Sequence, residues 1–139
     1  MESSVGPLVT HTDFVMVPTK DFERAIDFFG SVLGLPESKR YGERPGVEFE
    51  TGNLTLSVMQ SDAFGIEFKP NPNPIALRVE NVDEARATLE SHGIEFVAQF
   101  DSGVCHQAIF HDHDGNAFVL HHRYAPTDEM PDADATKTS

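Results

Sequence analysis

The chain has 139 residues, 39% of them hydrophobic, which is enough for one compact domain with a buried core. Its 23 acidic residues outnumber its 10 Lys and Arg, and the formal charge of −13 argues against partners such as nucleic acid or an anionic membrane surface. One cysteine, no secretory-signal pattern in residues 1–8 and no apolar run of membrane-spanning length together predict a cytoplasmic protein.

The first half of the chain predicts a strand, a helix and a hairpin. Residues 13–17 are apolar and rich in β-formers, and Pro18 follows them. The next segment places apolar side chains at helical spacing, and these are Phe22, Ala25, Ile26, Phe29, Val32 and Leu33. Gly34 is a typical residue to end such a helix. Residues 47–50 and 54–59 then form a predicted hairpin around Gly52-Asn53.

The second half predicts a strand, a helix and three strands. A proline-rich linker, residues 60–73, precedes a strand at residues 75–79. Asn81 and Glu84 have the spacing of a capping box, and Gly93 ends the helix that they begin. The three following strands are predicted at residues 94–100, 104–110 and 117–121. Residues 125–139 lack apolar periodicity and predict an acidic, disordered tail.

The two halves repeat one pattern, in which a capped helix follows a strand and a Gly-Asn turn precedes the closing strand. The fold class predicted is therefore α+β, with two tandem βαβββ units at roughly residues 10–63 and 74–124. One such unit cannot bury both faces of its sheet. We expect the two sheets to associate edge to edge and to curl into an incomplete barrel around a central cavity, within a single domain of residues 1–124.

Several short motifs carry a resemblance to a known family. They are Asp21-Phe22-Glu23-Arg24-Ala25, Phe28-Phe29, Leu33-Gly34-Leu35, Asn81-Val82-Asp83-Glu84-Ala85 and Asp112-His113-Asp114-Gly115-Asn116. With the duplicated units, they resemble the vicinal oxygen chelate superfamily, which includes glyoxalase I, extradiol dioxygenases and bleomycin-resistance proteins. The resemblance implies the barrel-like fold and a homodimer, but the superfamily contains both enzymes and metal-free drug binders.

The resemblance also implies where a metal would be held. Metal-using members take one ligand, typically His or Glu, from the opening strand and one from the closing strand of each unit. By motif, these four positions fall on Phe14, Leu56, Pro74 and Val119. None of these side chains can bind a metal ion. The sequence therefore predicts that the usual metal site is absent and that no cofactor is bound.

The same alignment suggests a ligand pocket. Its predicted apolar walls are Phe14, Met16, Leu56, Val58 and Val119, with His106 and His121 as polar anchors. Strand alternation places Ala117, Val119 and His121 towards the cavity, with Phe118 and Leu120 under the helices. His111 and His113 flank Asp112, and we interpret this run as a solvated turn rather than a metal site.

Three functions remain open at this stage. The favoured one is a metal-free protein that binds a small apolar or aromatic molecule. The first alternative is an enzyme, a lyase, isomerase or dioxygenase, with one divalent ion in a displaced site made from His106 and His121. The second alternative is a structural or partner-binding module.

Overall fold

The computed structural model of the protein describes residues 6–126 of the chain. The predicted tail lies almost entirely outside this range, so its disorder stays a prediction. Within the described residues, no helix is both long and apolar enough to cross a membrane.

The structure contains the two predicted βαβββ units. The first consists of β1 (Phe14–Thr19), α1 (Phe22–Ile26), β2 (Glu37–Arg40), β3 (Gly46–Glu50) and β4 (Thr55–Gln60). The second consists of β5 (Ile75–Arg78), α2 (Val82–Ser91), β6 (Phe96–Asp101), β7 (Cys105–His111) and β8 (Ala117–Arg123). A π-helical segment (Asp27–Val32) continues α1, and a short 3-10 helix (Ser61–Phe64) follows β4. The α+β prediction is confirmed.

Each unit forms its own four-stranded sheet. The strand orders are β1-β4-β3-β2 and β5-β8-β7-β6, and in each sheet the opening strand runs parallel to the closing strand. The two sheets do not close into a complete barrel, which agrees with the incomplete barrel that the sequence predicted. The expected edge-to-edge association was wrong for a single chain, because no strand of one sheet pairs with the other sheet within residues 6–126.

The first helix begins and ends where its sequence indicates. The Asp21 side chain accepts a hydrogen bond from the backbone N–H of Arg24, which caps the N-terminus. The helix then widens, since the N–H of Leu33 donates to the carbonyl of Phe28 at 2.9 Å, five residues back. Gly34 follows with a φ of 74°, a conformation that favours glycine.

The sequence analysis did not locate β2. Its four residues, Glu-Ser-Lys-Arg, are all exposed and polar, so they show no apolar alternation. The strand lies at the edge of its sheet and has a register shift between Glu37 and Lys39. Charged side chains and a bulge are typical of an edge strand that must not pair further.

The two sheets are joined by one shared hydrophobic core. The Phe29 ring lies with its centroid 6.0 Å from that of Phe49 in β3 and 5.8 Å from that of Phe118 in β8. Phe28 similarly lies 6.3 Å from Phe110 in β7. We call the sheet face that packs into this core the inner face, and the opposite face the open face. Because one helix contacts both inner faces, the open faces of the two sheets are turned away from the shared core.

The turn between β7 and β8 makes a second, polar joint between the units. The Asn116 side chain donates to the carbonyl of Pro18 at 2.8 Å and accepts from the N–H of Asn71 at 2.8 Å. The Asp114 carboxylate accepts from the Thr19 hydroxyl at 2.6 Å and from the N–H of Lys20 at 2.9 Å. The turn therefore holds the end of β1 and the linker between the units in place.

Asp112 organises this turn from inside. The residue is 6% exposed, and its carboxylate accepts hydrogen bonds from the N–H groups of Asp114 and Asn116 and from the Asn116 side-chain amide. Burial raises the pKa of Asp112, and the hydrogen bonds from Asn116 and Asp114 oppose that shift. The prediction of a solvated turn was therefore right for His111 and His113, which are exposed, and wrong for Asp112.

Asp112→Asn should lower the free energy of unfolding by about 1–3 kcal/mol, because one buried donor would lose its acceptor. The new amide would face the Asn116 amide, which cannot rotate without losing its bonds to Pro18 and Asn71. Asp114→Asn is the matched control, since its amide can donate to the Thr19 hydroxyl, and should change stability by less than about 0.5 kcal/mol. Urea unfolding measures both, and equal losses would contradict this role of Asp112.

Candidate functional site on the open faces

Four of the predicted pocket residues lie on open faces. Val15 and Val17 point into the core beside Leu56 and Val58, so the alternate residues of β1, Phe14 and Met16, lie on the open face of the first sheet. They are 47% and 44% exposed. On β8, Phe118 and Leu120 belong to the core, which places Val119 and His121 on the open face of the second sheet. The predicted alternation along β8 is confirmed.

The predicted placement of Leu56 and Val58 was wrong. Both are 0% exposed and lie on the inner face, where they pack in the shared core. The physical reason is the length of the turn. Leu54 separates Asn53 from the first residue of β4, whereas Ala117 begins β8 directly after Asn116. Residues at the same distance from the Gly-Asn pair therefore lie on opposite faces in β4 and β8, because β4 begins one residue later.

The predicted pairing of His106 with His121 was also wrong. His106 lies directly opposite His122 in the register of β7 and β8, on the inner face. There its Nε2 is 3.5 Å from the Asp101 carboxylate and its ring lies 4.7 Å from that of Tyr124. His121 points to the other side of the sheet. The displaced metal site that we considered for these two imidazoles therefore does not form within one chain.

In the superfamily that the chain resembles, four positions hold the metal ion. The residues at these positions in this chain are not suited to bind one. Phe14 and Val119 offer no donor atom, and Pro74 precedes β5. The register places Ser57, not Leu56, on the open face, and its hydroxyl is already 2.8 Å from the hydroxyl of Tyr41. Among residues 6–126, no group of three or more His, Cys, Asp or Glu side chains is arranged to hold a metal.

The open face of the first sheet carries an apolar groove of about 310 Å³. Met16 lines it, together with Met59 from β4 and Phe64 and Ile66 from the segment that follows. Ile66 is 53% exposed although it is a large apolar residue. A concave, mostly apolar surface of this size is typical of small-molecule sites.

A polar network lies beside this groove on the same face. The Tyr41 ring covers Gly46, where any Cβ would overlap it, and its hydroxyl bonds both Ser57 and the Glu48 carboxylate. Burial, followed by the hydrogen bond to Glu48, raises the pKa of Tyr41. The sequence analysis missed this network because Tyr41 lies in the loop between β2 and β3, and only the glycine that begins β3 indicated a close approach.

The open face of the second sheet is organised in two rows that cross its four strands. One row is apolar and consists of Ala76, Val119, Ile109 and Ala98. The adjacent row is polar and aromatic and consists of Arg78, His121, Gln107 and Phe100. Burial lowers the pKa of His121, and the nearby charges of Arg123, Arg78 and His122 lower it further. This face therefore combines the guanidinium groups of Arg78 and Arg123 with an imidazole that favours its neutral form and with an apolar strip.

Known proteins identify the family that shares this architecture. The family model for the glyoxalase/bleomycin resistance protein/dioxygenase superfamily matches residues 11–120. The chain belongs to this superfamily. The match covers both units, from the residues before β1 to the middle of β8.

Solved structures of this superfamily share its fold. A member from Sphaerobacter thermophilus has a TM-score of 0.69 and 22% identity over 82% of this chain and 98% of that one. TnmS3, an antibiotic-binding protein from Streptomyces sp. CB03234, has a TM-score of 0.67 and 22% identity, covering 83% and 97%. FosX, a fosfomycin resistance protein from Listeria monocytogenes, has a TM-score of 0.67 and 20% identity, covering 82% and 93%. No curated protein sequence matches the chain.

His121 should make stability depend on pH. Its pKa in the folded protein is below the unfolded value, so the folded state binds the proton more weakly. The stability present above about pH 6.5, the unfolded value, is lost as pH falls through the folded pKa. His121→Gln should therefore lose less free energy of unfolding than the wild type between about pH 7.5 and about pH 5. Chemical unfolding at a series of pH values measures this, and identical slopes would contradict it.

Proposed function

We propose that this superfamily member binds a small, largely apolar or aromatic molecule on its open faces, without a metal ion and as a homodimer. The observation that carries the proposal is the apolar groove of about 310 Å³ beside Met16. TnmS3 is an antibiotic-binding protein and FosX is a fosfomycin resistance protein, and both share the fold, which supports a role for this chain in binding a small molecule.

The groove has the chemistry that an aromatic ligand requires. Met16 and Met59 provide flexible, polarisable thioethers, and Phe64 provides a ring at its wall. Ile66 leaves an exposed apolar surface that gains stability when a ligand covers it. The Tyr41–Ser57–Glu48 network on the same face offers hydroxyl and carboxylate groups that can orient a polar substituent.

The chemistry of the residues supports a metal-free site. None of the residues at the superfamily's four ligand positions is His, Glu, Asp or Cys. With Ser57 in place of Leu56 on the open face of β4, these residues are Phe14, Ser57, Pro74 and Val119. A divalent ion would have to find other donors. We therefore propose that contacts with apolar and hydrogen-bonding side chains supply the binding energy.

The separation of the two open faces supports a homodimer. Phe14 and Met16 lie on one face and Val119 and His121 on the other, so one chain does not enclose a cup between them. A second copy can place its second sheet opposite the first sheet of this chain.

We also propose that the protein works in the cytoplasm. Cys105 is a buried free thiol, and a lone cysteine needs no oxidising compartment.

Ile66→Gln should weaken binding of an aromatic ligand about tenfold, because it replaces an apolar wall of the groove with an amide. The ligand would be chosen from a panel of neutral aromatic compounds by isothermal titration calorimetry. Val97→Gln is the matched control, since Val97 is also exposed, at 61%, but lies on β6 away from the groove.

Both variants should unfold at nearly the wild-type temperature, because each site is already exposed to water. An equal effect of the two substitutions on affinity would show that the groove is not the binding site. Failure of every aromatic compound to bind the wild type would overturn the proposed function itself.

Native mass spectrometry of protein purified without added metal should show the mass of two chains and no metal adduct. We expect less than about a tenth of an equivalent of Ni, Zn, Fe or Mn, given how tightly imidazole and carboxylate sites retain such ions. Added chelator should leave the melting temperature unchanged, since removal of a tightly bound metal lowers it clearly. A stoichiometric metal would contradict the metal-free site, and a monomer at micromolar concentration would contradict the dimer.

A further inference from the structure

We propose that the second open face binds an aromatic or apolar acid, whose carboxylate contacts Arg78 and His121 while its apolar part lies along the adjacent row. This inference rests on the proposed binding of small molecules by the open faces, and it adds a ligand class for the second face to the groove on the first. Four features of the second sheet support it.

The first feature is the register. Arg78 in β5 lies directly beside His121 in β8, and His121 lies directly opposite Gln107 in β7. Neighbouring strands are about 4.8 Å apart, so the three polar side chains form a continuous line across the open face. Such a line can present several donors to the two oxygens of a single carboxylate.

The second feature is that these side chains have no hydrogen-bond or ion-pair partner in the part of the chain that the structure describes. Within residues 6–126, the Arg78 guanidinium, the His121 imidazole and the Gln107 amide make no hydrogen bond or ion pair with other side chains or backbone.

The polar side chains on the inner face of the same strands behave differently. Gln99 bonds both Arg86 and Asp83, Asp101 bonds Tyr124, and His122 lies 3.1 Å from the carbonyl of Val79. The same sheet thus satisfies its polar groups on one side and leaves them available on the other.

The third feature is charge. The chain has 23 acidic residues and only 10 Lys and Arg, yet no acidic side chain of the described residues pairs with Arg78. Arg123 also carries its charge close enough to affect His121. Arg123 has an interaction of its own, so it contributes only to the local field and not to the proposed contacts. In a strongly acidic protein, this local positive field selects anions.

The fourth feature is the apolar row, which lies beside the polar and aromatic row that contains Arg78 and His121. Val119 and Ile109 lie at its centre, with the small residues Ala76 and Ala98 on either side. The rows are separated by two residues along each strand, about 7 Å. This spacing suits a molecule whose carboxylate is attached directly, or through one carbon, to an aromatic ring.

The inference is tested by comparing acids with their neutral amides on the full-length protein. Isothermal titration with benzoate and benzamide, and with phenylacetate and phenylacetamide, gives the affinity ratio of each matched pair. We expect each acid to bind about tenfold more tightly than its amide, as charge-assisted hydrogen bonds to a carboxylate predict. Arg78→Gln should reduce this ratio to about twofold or less.

Arg40→Gln is the matched control, because it removes one positive charge from β2 of the other sheet, where Arg40 pairs with Glu37. It should keep the acid-to-amide ratio of the wild type. Equal effects of the two variants would show that only net charge matters and would overturn the inference.

The remaining outcomes separate this inference from the function on which it rests. If the amides bind and the acids bind no more tightly, the carboxylate site is wrong and the apolar-ligand function stands. If no probe binds, both fall. If Arg78→Gln leaves the ratio unchanged but dissociates the dimer, Arg78 contacts the carboxylates of a second copy instead, and the inference is again overturned.

Discussion

The packing of Phe29 between the two sheets is the contact on which the rest of the structure depends. Its ring touches Phe49 from the first sheet and Phe118 from the second, so both inner faces share one core. A sheet has only two faces, and the face that is not buried in this core is left open. The single core therefore produces two separate open faces in each chain, and the candidate site lies on them.

The distribution of polar groups follows from this division. Groups that the shared core and the joint between the units remove from water must find partners, as Asp112 does with Asn116 in the turn between β7 and β8. Open-face groups that reach water do not have this constraint, and the Arg78 and His121 side chains make no hydrogen bond within residues 6–126. The open faces also differ from each other, since one combines the groove at Met16 with the Tyr41 network and the other combines an apolar row with cations.

Residue alternation assigned residues to the correct face of a sheet only where the start of the strand was certain. β8 begins directly after Asn116, so Val119 and His121 were assigned to the correct face. The extra residue Leu54 before β4 moved Leu56 and Val58 to the inner face. His106 was misplaced because its neighbour in β8 is His122, and nothing within β7 itself reveals that register.

The sequence by itself determined the duplicated strand–helix pattern, the capped helices that end at Gly34 and Gly93, and the residue types at the positions where the family motifs place metal ligands. These features depend on residues close together in the chain, where capping, turn chemistry and periodicity act. Only the tertiary structure decided that Tyr41 covers Gly46, that Arg78 lies beside His121, and that the two open faces are separate. Each of these depends on hydrogen-bond register or packing between segments distant in sequence, and no local pattern specifies which residues will meet there.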